Sequence, residues 1–260
     1  MLDYQALKAR GNPCTATEKG AWLCRHVEQV EMLEGNLFEH LPALKPKDGA
    51  APVTISVAAN ADSLGTWFLT AAADYAKTSG VLLDIAVDDE GHTADWLRAG
   101  RVLAAVTSLD RPVTGCRRHA LGSLRYHATA APDFIARHFP EGVTADALAR
   151  TPALTFSQKD RLQARWIEAA LGREIAVPTH FLPSTQGFVD AALAGMGWCM
   201  NPEALVKDHL AAGRLKELIP GLVIDVPLDW QVNRLVASEL EGLTRAVVKA
   251  AGQGLVSVAA

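Results

Sequence analysis

The chain has 260 residues, with 25 Lys and Arg against 29 Asp and Glu for a formal charge of −4, and 49% of its residues are apolar. This composition fits a globular chain that buries a core as one large or two small domains, and it excludes disordered, collagen-like and disulfide-dependent classes. The mild acidity lacks the overall basic field of a nucleic-acid coat, no apolar run reaches the ~18 to 20 residues of a membrane span, and a polar start broken by Gly11 and Pro13 is not a signal peptide.

In chain order, Ala21 to Phe38 spaces Leu23, Val27, Val30, Leu33 and Leu37 at steps of three and four, with Arg25, Glu28, Glu31 and Glu34 on the other faces. A narrow apolar seam of this kind suits helix pairing and predicts a dimerising helix. Pro42, Pro46, Gly49 and Pro52 then make a linker that holds neither helix nor central strand. From Val53 the pattern alternates. Strands are predicted at Val53–Val57, Val81–Val87, Val102–Val106, Ala153–Phe156, Val177–Leu182 and Trp198–Met200; helices at Leu64–Tyr75, His92–Ala99, Leu162–Leu171 and Thr185–Ala194, the last two closed by Gly172 and Gly195. Such alternation implies α/β architecture with parallel sheets and right-handed crossovers. Leu121–Ala131 and Val223–Val232 are apolar runs without an obvious following helix. They read as two strands crossing between two lobes, with Leu235–Ala251 returning to finish the first.

Cys14, Cys24, Cys116 and Cys199 form no Cys-x-x-Cys pair, and the eight histidines show no i, i+4 pair with a third ligand. Reduced thiols, no metal, no cofactor and a cytoplasmic location are the expectations. His127 and His180 read as satisfied strand residues. Trp67, Phe68, Trp96, Trp166 and Phe188 fall at helical core spacing.

The segments "VTISVAANADSLGTWF" (from Val53), "LLDIAVDDEGHTADWLRAGRVLAAVTS" (from Leu82), "LGSLRYHATAAPDFIARHFPEG" (from Leu121), "PSTQGFVDAALAGMGWCMNPE" (from Pro183) and "DVPLDWQ" (from Asp225) resemble the ArgP/LysG branch of the LysR-type transcriptional regulators. The resemblance implies two Rossmann-like lobes of the type II periplasmic-binding-protein kind, joined by two crossover strands and preceded by a linker helix. It divides the chain into a winged helix-turn-helix remnant at 1–20, a dimerising helix at 21–40, a linker at 41–52, lobe I at 53–122 plus 223–260, and lobe II at 123–222. It implies a regulator that senses lysine or arginine, forms homodimers or tetramers and acts on promoter DNA, away from membranes. "MLDYQALKA" is similar to the opening of the first helix of the DNA-binding head, and "RGNPCTATEKGAWLCRHVEQVEMLE" to its wing and the linker helix. About 45 residues between Ala9 and Arg10, the recognition helix among them, have no counterpart here. The first fifty residues carry six Lys and Arg against seven Asp and Glu, a poor phosphate footprint, so weak DNA binding is expected of this chain.

In open α/β sheets ligands sit beyond the carboxyl ends of strands. Asn60, Asp62 and Ser63 follow the first strand, Asp88 and Asp89 the second, Thr107 and Ser108 the third, while Ser184 and Thr185 open a helix of the second lobe. A basic amino acid needs donors for its carboxylate, which Ser184 and Thr185, with Ser63 and Thr66, supply at helix N-termini; it needs carboxylates for its side-chain cation, which Asp62, Asp88 and Asp89 supply. Trp198 is read as lining the cleft between the lobes, where the family binds its effector. The competing reading makes Asp62, Ser63, Ser184 and Thr185 helix caps and the acidic run a solvated turn. Two other functions compete. A two-lobe solute-binding protein would need a secretion signal, and an enzyme using Ser63, Ser108 or Cys199 would need a base and an orienting acid that no motif supplies.

Overall fold

The computed structural model describes residues 8–9, 15–17, 19–20, 22–24, 26–27, 30, 53–88, 93–109 and 111–257. The linker at 41–52, Leu33, Leu37 and Asp89 lie outside them. Near the start, β1 (Lys8–Ala9) pairs antiparallel with β2 (Thr15–Ala16). Lys8 and Ala9 are therefore strand rather than the opening of a helix. Residues 22–24, 26–27 and 30 are helical, with Leu23 and Val27 exposed and Val30 half-buried.

The rest of the described chain forms two compact units. The first holds Thr70–Ala120 and Asp229–Ala250 together with the residues up to Asn60. Its strands lie in the order β11–β5–β3–β4, where β3 is Thr54–Asn60, β4 Leu82–Asp88, β5 Ala104–Thr107 and β11 Val223–Asn233. β3 runs parallel to both neighbours, pairing Thr54 with Leu82 and Val57 with Ala104, and its residues from Ile55 on are all buried. Ile55, Val57, Ala58 and Ala59 supply the apolar and small side chains that a strand covered on both faces requires, with Ser56 and Asn60 buried among them. Ala58 and Ala105 pack with Leu97 and Ala94 of α3 (Thr93–Arg98), because small strand residues let a helix lie close. β11 closes this sheet antiparallel to β5, Asp229 opposite Thr107.

The second unit holds Ala61–Leu69, Leu121–Leu228 and the residues from Ala251 on. Here, among the described residues, the expected parallel arrangement holds for β7 (Ala153–Thr155), which pairs with β8 (Thr179–Phe181) and bridges in parallel to Trp198 through Ala153. β6 (Cys116–Ala130) pairs antiparallel with β9 (Cys199–Pro202) and β10 (Lys216–Glu217). The core gathers Leu154, Phe188, Val189, Ala192, Cys199 and Val206 around α7 (Thr185–Leu193) and α8 (Glu203–Ala211). Both long strands serve both units, since β6 changes unit after Ala120 and β11 after Leu228.

Several helices differ from expectation. The helix expected from Leu64 begins at α1 (Ala61–Ser63), continues as a π-helical turn over Leu64–Phe68 and resumes as α2 (Leu69–Ser79). α4 (Pro132–His138) follows β6 directly with Pro132 at its start, where the missing N–H costs nothing. α5 (Ala145–Leu148) follows, and α6 (Leu162–Leu171) ends as expected on Gly172, at φ 70. The single final helix is instead a 3₁₀ turn at Arg234–Val236 followed by α9 (Glu241–Gly254). Among the described residues no helix is long and apolar enough to cross a membrane, and no cluster of His, Cys, Asp and Glu is placed to hold a metal ion.

Candidate functional site

In the second unit the structure gathers part of the expected set around Asp62. Its carboxylate accepts two hydroxyl hydrogen bonds, from Tyr126 at Oδ2 (2.7 Å) and from Thr185 at Oδ1 (2.5 Å). Thr66 donates to the Asp62 carbonyl at 2.6 Å, fixing the turn that carries it. The π-helical turn passes close to the start of α7: a Cβ on Gly65 would lie 3.4 Å from Thr185 Cγ2. Ser184 caps α7, its hydroxyl accepting from Gly187 N–H at 3.0 Å. Ser63 is fully buried, makes no capping bond, and its Oγ has no hydrogen-bond partner among the described residues. The cap reading therefore holds for Ser184 and fails for Ser63.

Trp198 is a core residue. Its ring is wholly buried against Trp166, centroids 5.3 Å apart, and its indole N–H has no partner among the described residues. Nearby in sequence, Asn201 donates to Thr129 (2.9 Å) and to the Cys199 sulfur (3.1 Å), leaving its own Oδ1 unpartnered. Burial, reinforced by the charge on Asp62 and opposed by the Asn201 hydrogen bond, pushes the Cys199 thiol up to about 12. A thiol held protonated at neutral pH is the wrong form for nucleophilic attack, and among the described residues no base is hydrogen-bonded to buried Ser63.

The first unit positions the other candidates at the carboxyl ends of its parallel strands. Asn60 and Asp88 are register partners on β3 and β4. Asn60 is buried with neither amide atom partnered among the described residues, whereas Asp88 is half-buried and accepts the Trp96 indole N–H at 3.0 Å. Thr107 is buried and its hydroxyl accepts from Gln231 Nε2 at 2.8 Å, while Gln231 Oε1 accepts from Val113 N–H, a tie that braces β5 and β11. Ser108 is half-buried at the end of β5. Sequence reasoning missed Tyr126, the residue that holds one oxygen of Asp62. The available signal was a tyrosine in an apolar strand, since a buried phenol normally finds a partner.

Comparison with known proteins places these features in a family. Residues 52–255 match the model of the LysR substrate binding domain. A curated relative, the HTH-type transcriptional regulator ArgP of Pseudomonas aeruginosa (strain UCBPP-PA14), is 44% identical over 254 residues, covering 98% of this chain and 84% of the relative. The solved C-terminal domains of a LysR family protein from Agrobacterium tumefaciens are 62% identical with a TM-score of 0.77, covering 79% of this chain and 99% of theirs. Full-length LysG from Corynebacterium glutamicum, solved with bound effector Arg, is 34% identical with a TM-score of 0.75, covering 96% and 84%.

Proposed function

The chain belongs to the LysR family of transcriptional regulators, and from that premise we propose that it responds to a basic amino acid, lysine or arginine, bound by Asp62, Ser63, Thr66, Ser184 and Thr185 of the second unit. The carrying observation is the Asp62 carboxylate, oriented by two neutral hydroxyls beside a capped helix start. Hydroxyl donors on both oxygens hold a carboxylate in one plane. The LysG neighbour with bound Arg supports the ligand class. Asn60, Asp88, Asp89, Thr107 and Ser108 are proposed contacts too, each tested by alanine substitution.

The test is calorimetric titration with L-lysine, L-arginine, L-ornithine and L-leucine. Saturable binding of the cationic amino acids alone, weakened by Asp62→Asn, supports the reading; a folded protein that binds none of them, or binds leucine as well as lysine, refutes it. The role is regulatory rather than catalytic and is exercised in the cytoplasm. The 260-residue chain itself is proposed to bind promoter DNA weakly, and to pair as a homodimer or tetramer through the seam at Leu23, Val27, Val30, Leu33 and Leu37. Tight promoter shifts on gels, or a monomer in sedimentation, would overturn these two statements.

A further inference from the structure

We propose that the C-terminal residues Gly254, Leu255 and Val256 form a regulatory strap, which ties the turn carrying Asp62 to strand β6 and passes a change at the effector site to that strand. The strap's link to a ligand rests on the effector reading above. Each of its contacts lies within the second unit.

One end of the strap lies against the turn. Gly254, the last residue of α9, sits so close to Trp67 that a Cβ there would lie 2.6 Å from Trp67 Cβ. Trp67 is buried in the π-helical turn Leu64–Phe68, and Asp62 and Thr66 belong to the same stretch of chain. The other end holds β6. Val256 N–H donates to the Ser123 carbonyl at 3.0 Å, and Ser123 N–H donates to the Val256 carbonyl at 2.9 Å, which makes an isolated antiparallel bridge. Gly122 gives the bridge its room: its φ is 127, and a Cβ there would lie 2.8 Å from the Val256 carbonyl oxygen and 3.1 Å from Leu255 Cβ. Only glycine takes that backbone and that approach without strain. Gly122 and Ser123 stand just past Ala120, where β6 changes unit. A single pair of backbone hydrogen bonds at a chain end is a hold that opens locally, without unfolding the rest.

A second link closes the circuit. Tyr126, further along β6 from Ser123, donates to Asp62 Oδ2 at 2.7 Å. The turn is thus joined to β6 directly by a side chain and again through the tail. The strapped arrangement is the one in which Asp62 is held by both Tyr126 and Thr185. A ligand that needs Asp62 so held favours the closed strap, and by reciprocity the closed strap favours the ligand.

The test reads that coupling from both sides, with L-lysine and L-arginine in parallel. Amide exchange at Ser123 and Val256 is followed by NMR with and without saturating amino acid. Affinity is measured by calorimetry for wild type, for Val256→Pro, which removes the N–H that the Ser123 carbonyl accepts, for Gly122→Ala, and for the double variant. The amino acid should slow exchange at Ser123 and Val256 by a common factor of about 5-fold or more. Each single variant should weaken its binding by that same factor, because each leaves the strap open. The double variant should bind no more weakly than either single one, since both changes break one contact. Gly252→Ala, on the same helix but with nothing within 4 Å of the added Cβ, should stay within about 2-fold of wild type. A merely structural strap would lower the melting temperature and leave the affinity alone. Unchanged affinity in Val256→Pro, weakening that adds up in the double variant, or exchange at Ser123 indifferent to the amino acid overturns the coupling. If Gly122→Ala shows no cooperative unfolding transition, Val256→Pro decides. A wild type that binds neither amino acid refutes the effector reading, and the coupling with it, a result distinct from binding that ignores the strap.

Discussion

Two glycines of α9, Gly252 and Gly254, should answer the same substitution with opposite signs. A Cβ on Gly254 would sit 2.6 Å from Trp67 Cβ and 3.8 Å from Trp67 Cα, atoms rooted in the backbone of the π-helical turn that cannot swing away. A Cβ on Gly252 meets nothing within 4 Å. Alanine is worth about 0.5 to 1 kcal/mol over glycine in an exposed helix, so Gly252→Ala should stabilise by that amount. At Gly254 the same gain is opposed by overpacking, about 1 to 3 kcal/mol, for a net loss of up to about 2.5 kcal/mol. At about 2 to 4 °C per kcal/mol for a chain of this size, the two variants should melt on opposite sides of wild type. Thermal unfolding followed by circular dichroism, checked by urea midpoints, reads the difference. Two variants that melt together would refute the close approach of α9 to Trp67.

Three further outcomes are expected. Asp229 is buried and pairs with the half-exposed Arg118 at 2.7 Å, so Arg118→Ala should cost about 1 to 3 kcal/mol by stranding a buried carboxylate; a loss under about 0.5 kcal/mol in urea unfolding, the range of neutral surface changes, counts against it. The hydrogen bond from Arg125 holds the Asp225 carboxyl below its ordinary value of 3.8. Its contribution is thus present above that value and lost as pH falls through the lowered one. The pair is half exposed and worth under about 1 kcal/mol; Asp225→Asn should flatten stability only below about pH 4, and a difference that grows above neutrality contradicts the pairing. Finally, Cys24 is exposed while Cys116 and Cys199 are buried with their thiols pushed up by burial. Maleimide labelling mapped by mass should therefore mark Cys24 well before either, the gap closing in denaturant; early labelling of Cys199 in native protein would show that its burial is wrong.

What the sequence made legible follows from what burial imposes on residue type. β3 and β5 were readable because strands buried along their length are rich in Ile, Val and Ala, β4 because its Leu, Ile and Val stand out although it is only partly buried, and the end of α6 because Gly172 alone tolerates its left-handed turn. The antiparallel pairing of β6 with β9 was not, because strand direction is settled by partners remote in sequence. α4 was hidden by Pro132, whose role as breaker or helix start depends on the bond it would have made, and the π-helical turn at Leu64–Phe68 leaves no periodic trace in five residues. At the site, Asp62, Ser184 and Thr185 were named from their places at helix starts. Ser184 proved a cap as well as a candidate, since the two roles use the same residue type, and Tyr126 escaped because 64 residues separate it from the carboxylate it holds.

The division of β6 and β11 between the units has a consequence for how the chain is made. Neither unit is a continuous stretch of polypeptide, and the bond between Thr107 and Gln231 spans 124 positions. At about 5 to 20 residues per second of synthesis, Thr107 waits about 6 to 25 seconds for the strand that covers it. During that interval β5 is an unprotected sheet edge of Ala104, Ala105, Val106 and Thr107, all destined for burial, the kind of surface that invites aggregation. The nascent chain, rather than the finished regulator, is the form that should depend on a chaperone.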